Sequence, residues 1–252
     1  MDAVYLLGRL LKHSWREPIW LAIEIIQPMV WIVLYGQLFE KVTLLPGFGA
    51  ASYIQFLTPG VIVMTALFGS AWAGMTFIED YREGVMDRLL SAPIRRQSIV
   101  LAKALHAALA VAVQAVILMF VGALLGAKFM GGVPGILFIS LAMLLISGDF
   151  SAASNGLALL TRTEDTLIAV VSFVTLPLTF LSASLMSSAL MPAWMQEAAR
   201  FNPINWAVEA SRAGLNGTIT GASWLAIGYL AAFLVVGNLF AGYALRRFQA
   251  RS

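Results

Sequence analysis

Six apolar runs, each near or beyond the length needed to cross a bilayer, limit what this chain can fold into. A hydrocarbon core about 30 Å thick is crossed by about 20 apolar residues in a helix. Runs of that order lie at roughly Ile19–Phe39, Phe56–Ile78, Ile99–Leu125, Val133–Leu160, Leu167–Ser188 and Trp224–Leu245. A soluble protein can hide one such helix in its core, but not six. Composition agrees, at 60% hydrophobic and 12% charged, where soluble domains carry about a quarter charged residues. The expected fold is an all-α polytopic membrane protein with six transmembrane helices.

Several classes drop out. With no cysteine, disulfides and thiolate metal sites are excluded. His13 and His106 are the only histidines and stand far apart, without the acidic partners a metal site would want. A net charge of +3 is no nucleic-acid signal. The first apolar run is longer than a signal-peptide core and no small-residue cleavage site follows it, so it is expected to stay in the membrane.

Ahead of that run, residues 2–16 place Val4, Leu7, Leu10, Leu11 and Trp15 on one side of a helix. Arg9, Lys12, His13 and Arg16 fall on the other. A basic face opposite an apolar face with Trp suits a helix lying in the membrane interface, so 1–18 is expected to be an interfacial amphipathic helix. If the N-terminus is inside, the inner pieces are 1–18, 79–98, 161–166 and 246–252. Together with Lys103 they hold all the Lys and Arg except Lys41, Lys128, Arg200 and Arg212. That bias predicts both termini in the cytoplasm.

Between the fifth and sixth runs stands "ALMPAWMQEAARFNPINWAVEASRAGLNGTITGA", residues 189–222. Pro192 opens a helix through Arg200, and Asn202-Pro203 breaks it. A second helix is expected from Pro203 to Leu215, ended by Asn216-Gly217. Neither is long enough to span. They are expected to be two short outer helices, re-entrant or interfacial, with Trp194 and Trp206 at headgroup level beside Glu197, Arg200, Glu209 and Arg212.

The charged stretch "EDYREGVMDRLLSAPIRR", residues 79–96, carries four acids and four arginines. Tyr81, Val85, Met86, Leu89 and Leu90 recur at helical spacing, and Pro93 ends the helix with Ala92 biased to extended geometry. Gly84 inside it costs roughly 1 kcal/mol relative to Ala, which makes sense where another backbone comes close. A solvated loop with orienting arginines would explain Arg95 and Arg96 but not the acids. A docking helix explains both, its apolar stripe filling a partner's groove and its charges fixing the register.

Polar residues inside the runs are the remaining candidates. Glu24 shares a stripe with Gln27, Trp31 and Tyr35. Asp149 lies deeper, near a face made by Ser147, Ser151, Ser154 and Asn155. Ser172, Thr175, Thr179 and Ser182 line the fifth run, with Pro177 as a kink. Intramembrane acids are costly and usually functional, whereas polar stripes more often serve interhelical hydrogen bonds. The candidate pathway set is Glu24, Gln27, Trp31, Asp149, Asn155, Thr175 and Thr179. Gly122-x-x-x-Gly126 reads as close helix packing.

The run at 79–96 resembles the cytoplasmic coupling segment of ABC type-2 exporter permeases, a family that serves drug, nodulation-factor and polysaccharide export. "EIIQPMVWIVLYGQLF" (24–39) resembles the family's first span with its Gln-Pro. "FLSASLMSSALMPAWMQEAARFNPINWAVEASRAGL" (180–215) resembles its fifth span and outer helices, and the last span with a basic tail fits too. The likeness covers most of the chain, in order. One departure is "GVMDRLL", where many relatives have Thr-Leu-Glu after the glycine.

The resemblance implies one ABC type-2 transmembrane domain over 1–252. It implies a separate ABC ATPase subunit that holds the ATP and Mg, with no cofactor bound by this chain, and a second permease copy or homologue. The ATPase-coupling contacts would be Glu79, Arg82, Glu83, Gly84, Asp87, Arg88 and Leu89. The substrate would be drug-like, lipid or glycan, exported across the cell membrane of a prokaryote. No G-x-x-x-x-G-K-[ST] loop occurs in the 252 residues, so ATP hydrolysis is assigned to the partner and the chain is not expected to be an enzyme. An ion-gradient-driven transporter would want several buried charges and an internal repeat. Asp149 is its only convincing candidate. A membrane-embedded transferase would want metal-spaced acids, which the cluster at 79–87 lacks.

Overall fold

The computed structural model describes residues 8, 18–46, 48, 50–82 and 96–249. Among these, regular structure is helical throughout. Helix α1, Pro18–Leu38, opens on proline, whose fixed φ suits a helix start. A 3₁₀ turn at Glu40–Leu44 leads on to α2, Tyr53–Ala71. The Ser52 side chain caps α2 by accepting the Gln55 N–H at 3.1 Å, which satisfies one of the free amides of the first turn. A turn at Trp72–Gly74 separates α2 from α3, Met75–Arg82. Helix α4 spans Arg96–Leu124 and α5 spans Gly132–Thr161. Helix α6, Glu164–Phe180, begins with two acids in its first turn, where the helix dipole favours them. Two short helices follow, α7 (Ala193–Arg200) and α8 (Pro203–Asn216). Asn202 caps α8 by accepting the Ile204 N–H at 2.9 Å, and Gly217 closes it in the left-handed conformation, φ 69°. Helix α9, Gly221–Gln249, completes the bundle.

Helix α5 is the axis, packing against α9, α8, α2, α4, α3 and α6. Its Ile139, Met143 and Ile146 are fully buried among Leu57, Ile62 and Leu67 of α2, Leu118 of α4, Ile204 and Leu215 of α8, and Leu230 of α9. A second, smaller cluster joins Ala71 and Ile78 to Ala158, Leu167 and Val171 near the Arg82 end. The outside is as apolar as the inside. Phe173 is 80% exposed and Leu239 is 69% exposed, an arrangement that hydrocarbon rather than water tolerates.

Four stretches among the described residues are long and apolar enough to cross a membrane: Tyr53–Glu79, His106–Leu124, Gly132–Thr161 and Gly221–Arg247. Ile25–Leu38 is a shorter apolar helix. Helix α1 covers the first expected span as far as Leu38, whereas the fifth differs in kind. Helix α6 stops at Phe180, eight residues before the expected end at Ser188, and residues 181–187 run without helix. The second expected span, Phe56–Ile78, is interrupted at Trp72–Gly74. The reasons lie in tertiary contacts, described next. The expected interfacial helix at 2–16 lies outside the described residues, Gly8 apart.

Candidate functional site

At the Arg82 end, α3 is fixed at three points. At its start the Gly74 N–H donates to the Ser154 Oγ of α5 at 3.0 Å. A Cβ on Gly74 would fall 2.5 Å from the Ser154 carbonyl oxygen, so only glycine lets the two backbones meet. In its middle Ile78, 2% exposed, packs with Ala158 of α5 and with Leu167 and Val171 of α6. At its end the Arg82 guanidinium pairs with the Glu164 carboxylate in the first turn of α6. Glu79 is exposed. Glu83, Gly84, Asp87, Arg88 and Leu89, the rest of the expected coupling set, lie outside the described residues.

The candidate pathway residues are distributed over α1, α5 and α6. The backbone of Glu24 lies within α1, and Gln27 is exposed. Trp31 stacks on Tyr35 with ring centres 4.9 Å apart and planes 12° apart. The rings continue from Tyr35 to Phe39 and on to Tyr53 at 5.4 and 5.5 Å. Thr175 and Thr179 are buried but turn back on their own helix, each hydroxyl donating at 2.7 Å to the carbonyl one turn earlier. Asn155 donates to Ser151 Oγ at 3.3 Å on its own helix. Asp149 is 1% exposed, and neither of its carboxylate oxygens has a hydrogen-bond partner. A buried carboxylate left like this costs several kcal/mol unless it meets a proton, a cation or a donor.

The most heavily built polar site is at the opposite end of the bundle, on the non-helical stretch 181–187. Side chains from α2 and α8 hold its backbone groups. The Tyr53 hydroxyl donates to the Leu185 carbonyl at 2.8 Å. The Asn205 side-chain carbonyl accepts the Ala183 N–H at 3.0 Å, and Asn202 donates to the Leu178 carbonyl at 2.6 Å. Arg212 of α8 spreads over the same stretch. Its Nε donates to the Phe56 carbonyl at 3.3 Å, and its Nη2 to the carbonyls of Ala183 and, at 3.4 Å, Ser184. The guanidinium also lies 3.6 Å from the centre of the Phe56 ring, a cation–π contact. Burial pushes the Arg212 pKa down to about 9, with Glu209 and Tyr53 pulling it back up, so it remains charged at neutral pH. Gly60 of α2 packs directly on the Ser184 carbonyl.

A second polar clamp sits nearby. Gln55, 7% exposed, donates to the Lys128 carbonyl at 2.8 Å and to Asn216 Oδ1 at 2.9 Å, and accepts the Lys128 N–H at 2.6 Å. It ties α2 to the α4–α5 connection and to the end of α8. None of Tyr53, Gln55, Gly60 or Asn205 stood out in the sequence. Arg212 did, as one charge among the short helices. Its one available signal was a basic residue four positions before a helix-ending Asn-Gly, in a segment too short to span.

Trp194 is 65% exposed. Trp206 donates its ring N–H to the Arg200 carbonyl at 2.6 Å and packs against Tyr229 at 5.2 Å. Glu197 pairs with Arg200 at 3.0 Å on the surface of α7.

Residues 2–216 match the family model described as ABC-2 type transporter. The chain is 35% identical over 208 residues to the transport permease ycf38 of Cyanophora paradoxa, covering 82% of this chain and 71% of that one. It is 26% identical over 215 residues to the daunorubicin resistance ABC transporter permease protein DrrB1 of Streptomyces coeruleorubidus, covering 82% and 75%. It is also 26% identical over 253 residues to the inner membrane transport permease YadH of Escherichia coli K12, covering 94% of each.

Proposed function

Because this chain belongs to the ABC-2 type transporter family, and is thus the transmembrane permease subunit of an ABC transporter, we propose that it exports a drug-like, lipid or glycan substrate from the cytoplasm, driven by a separate ATPase. The observation that carries this reading is the family match over residues 2–216 in a chain whose 252 residues hold no phosphate-binding loop of their own. Two permeases and two ATPases would form the working unit in a prokaryotic cell membrane, with both termini of this chain in the cytoplasm. Closure of the ATPases on ATP and Mg would push on residues 79–92, and the bundle would respond only as far as the two ATPase states contact it differently.

Purification of the chain from its native membrane in mild detergent is expected to bring an ABC ATPase subunit with it. A chain that transports alone in vesicles, on an ion gradient and without ATP, would refute this reading. Within the complex, Leu89→Asp or Gly84→Trp is expected to leave the permease inserted and to abolish the dependence of partner ATPase turnover on the permease. Normal substrate-stimulated turnover in both variants would remove the 79–92 segment as the coupling contact.

Asp149 is assigned to the pathway on the same reading, because a cationic substrate would satisfy its two unpartnered oxygens. The neutral variant Asp149→Asn is expected to cut export of a lipophilic cation such as tetraphenylphosphonium by about tenfold, the effect of roughly 1.4 kcal/mol. Export of neutral lipophiles should be spared. Equal effects on both classes would take Asp149 out of the pathway.

A further inference from the structure

We propose that Glu164 is the residue through which movement of the coupling segment reaches α6, with the Arg82–Glu164 ion pair acting as the strap. The inference rests on the ATP-driven reading above and adds a positioning residue to it.

Helix α3 is the described part of the chain that leads into residues 83–95. Its three attachments run along it in order. Gly74 meets α5 through the 3.0 Å hydrogen bond to Ser154, Ile78 is wedged among Ala158, Leu167 and Val171, and Arg82 grips Glu164. A helix held this way moves as one piece, because packed interfaces transmit displacement rather than absorb it. Its start bears on α5, the axis of the bundle, while its end bears on the first turn of α6. A push arriving at the Arg82 end therefore levers α6 against α5.

The strap has little value as a stabiliser. Its side chains are 59% and 31% exposed, and exposed ion pairs contribute about 0–1 kcal/mol. Its place is what matters. It joins the helix leading into the charged segment to the helix bearing Thr175 and Thr179. Glu164 is also set at the start of α6, where the helix dipole holds a carboxylate in favour. Arg82 thus grips the first turn of α6 itself.

The chain has no cysteine, so a pair of introduced cysteines takes spin labels without background. Labels at Val174→Cys on α6 and Leu239→Cys on α9, positions 41% and 69% exposed, report α6 against the rest of the bundle. In lipid vesicles holding the full permease–ATPase complex, adding ATP and Mg is expected to shift the distance distribution. Glu164→Arg should lower the ratio of ATP-favoured to resting populations by about fivefold or more, the low end of allosteric coupling. Glu164→Gln should lower it less. The exchange Arg82→Glu with Glu164→Arg should return the ratio to within about twofold of the parent, since it restores attraction in reversed polarity. A full shift in Glu164→Arg overturns the strap. So does an exchange variant as defective as Glu164→Arg, which would show that the two positions matter only for local structure. If the parent itself shows no shift while its bound ATPase hydrolyses ATP, the ATP-driven reading fails and the strap fails with it, an outcome distinct from the other two.

Discussion

Gly60→Ala, the addition of a single methyl group, is expected to destabilise the protein as much as a large core truncation would. The new Cβ would stand 2.2 Å from the Ser184 carbonyl oxygen, 2.9 Å from its carbonyl carbon and 3.1 Å from its Cα. All three are backbone atoms, so no side-chain rotation relieves the overlap. The Ser184 backbone is itself pinned. Its neighbours Ala183 and Leu185 are held by Asn205 and Tyr53, and its own carbonyl accepts from Arg212. Moving the stretch away from α2 breaks those bonds, and moving α2 away opens the core at Leu57 and Ile62. Overpacking ordinarily costs about 1–3 kcal/mol, and each buried hydrogen bond lost with it adds about 1 kcal/mol. A total of about 3 kcal/mol or more is expected, equivalent to about 6 °C or more in the melting temperature of a domain this size. The measurement is thermal unfolding of the purified permease in detergent, followed by size exclusion. Gly228→Ala on α9 is the control, because nothing stands within 4 Å of the Cβ it would gain. It should be neutral or slightly stabilising, since alanine favours helix over glycine by about 1 kcal/mol. Equal melting of the two variants would show that α2 and residues 181–187 do not pack as described.

What the sequence made legible, and what it hid, divides along a physical line. Hydropathy marks where a helix is apolar, so α4, α5 and α9 coincide with expected spans. Proline and Asn-Gly punctuation act within a few residues, so the short helices expected at 192–200 and 203–215 correspond to Ala193–Arg200 and Pro203–Asn216. Hydropathy says nothing about where the backbone ladder is exchanged for tertiary bonds. The apolar run at 167–188 continues smoothly through Leu181 and Met186, yet the helix ends because Tyr53, Asn205 and Arg212, all distant in sequence, supply partners for the freed groups. Trp72–Gly74 is hidden in the same way, its freed Gly74 amide met by Ser154 eighty positions on. The glycines make the point again. Gly122 and Gly126 look alike as a small-residue pair, but a Cβ on Gly122 would strike Thr58, whereas Gly126 has φ +105° and nothing near it. The first is a packing contact and the second a turn. The candidate site was half legible. Asp149 is conspicuous in any apolar run, while the partners of residues 181–187 carry no local pattern.

Arg212→Leu is expected to be the most damaging single change to a charged residue among the described positions. The guanidinium donates to three backbone carbonyls on two separate segments and lies over the Phe56 ring at 3.6 Å. Leucine removes all five guanidinium donors and leaves the buried carbonyls of Ala183 and Ser184 without this partner. Unsatisfied buried acceptors cost about 1–3 kcal/mol each, so a loss of about 3 kcal/mol or more is expected. Arg212→Lys separates charge from geometry. An ammonium keeps the charge but lacks the planar fork and the stacking surface, so it should recover less than half of the loss. Full recovery by lysine would mean that charge alone matters, and wild-type stability in Arg212→Leu would remove the guanidinium as a support for residues 181–187. The double variant with Gly60→Ala carries the stronger test. Both changes act on the same seven residues, so once one has loosened that stretch the other has less left to break. Their combined effect should fall short of the sum by about 0.5–3 kcal/mol, the range for residues coupled through one hydrogen-bond network or backbone shift. Strict additivity would show that α2 and α8 hold the stretch independently. A shortfall would show that they grip it as one joint between the end of α6 and the start of α7, the place where a tilt of α6 would have to pass into the short helices beyond.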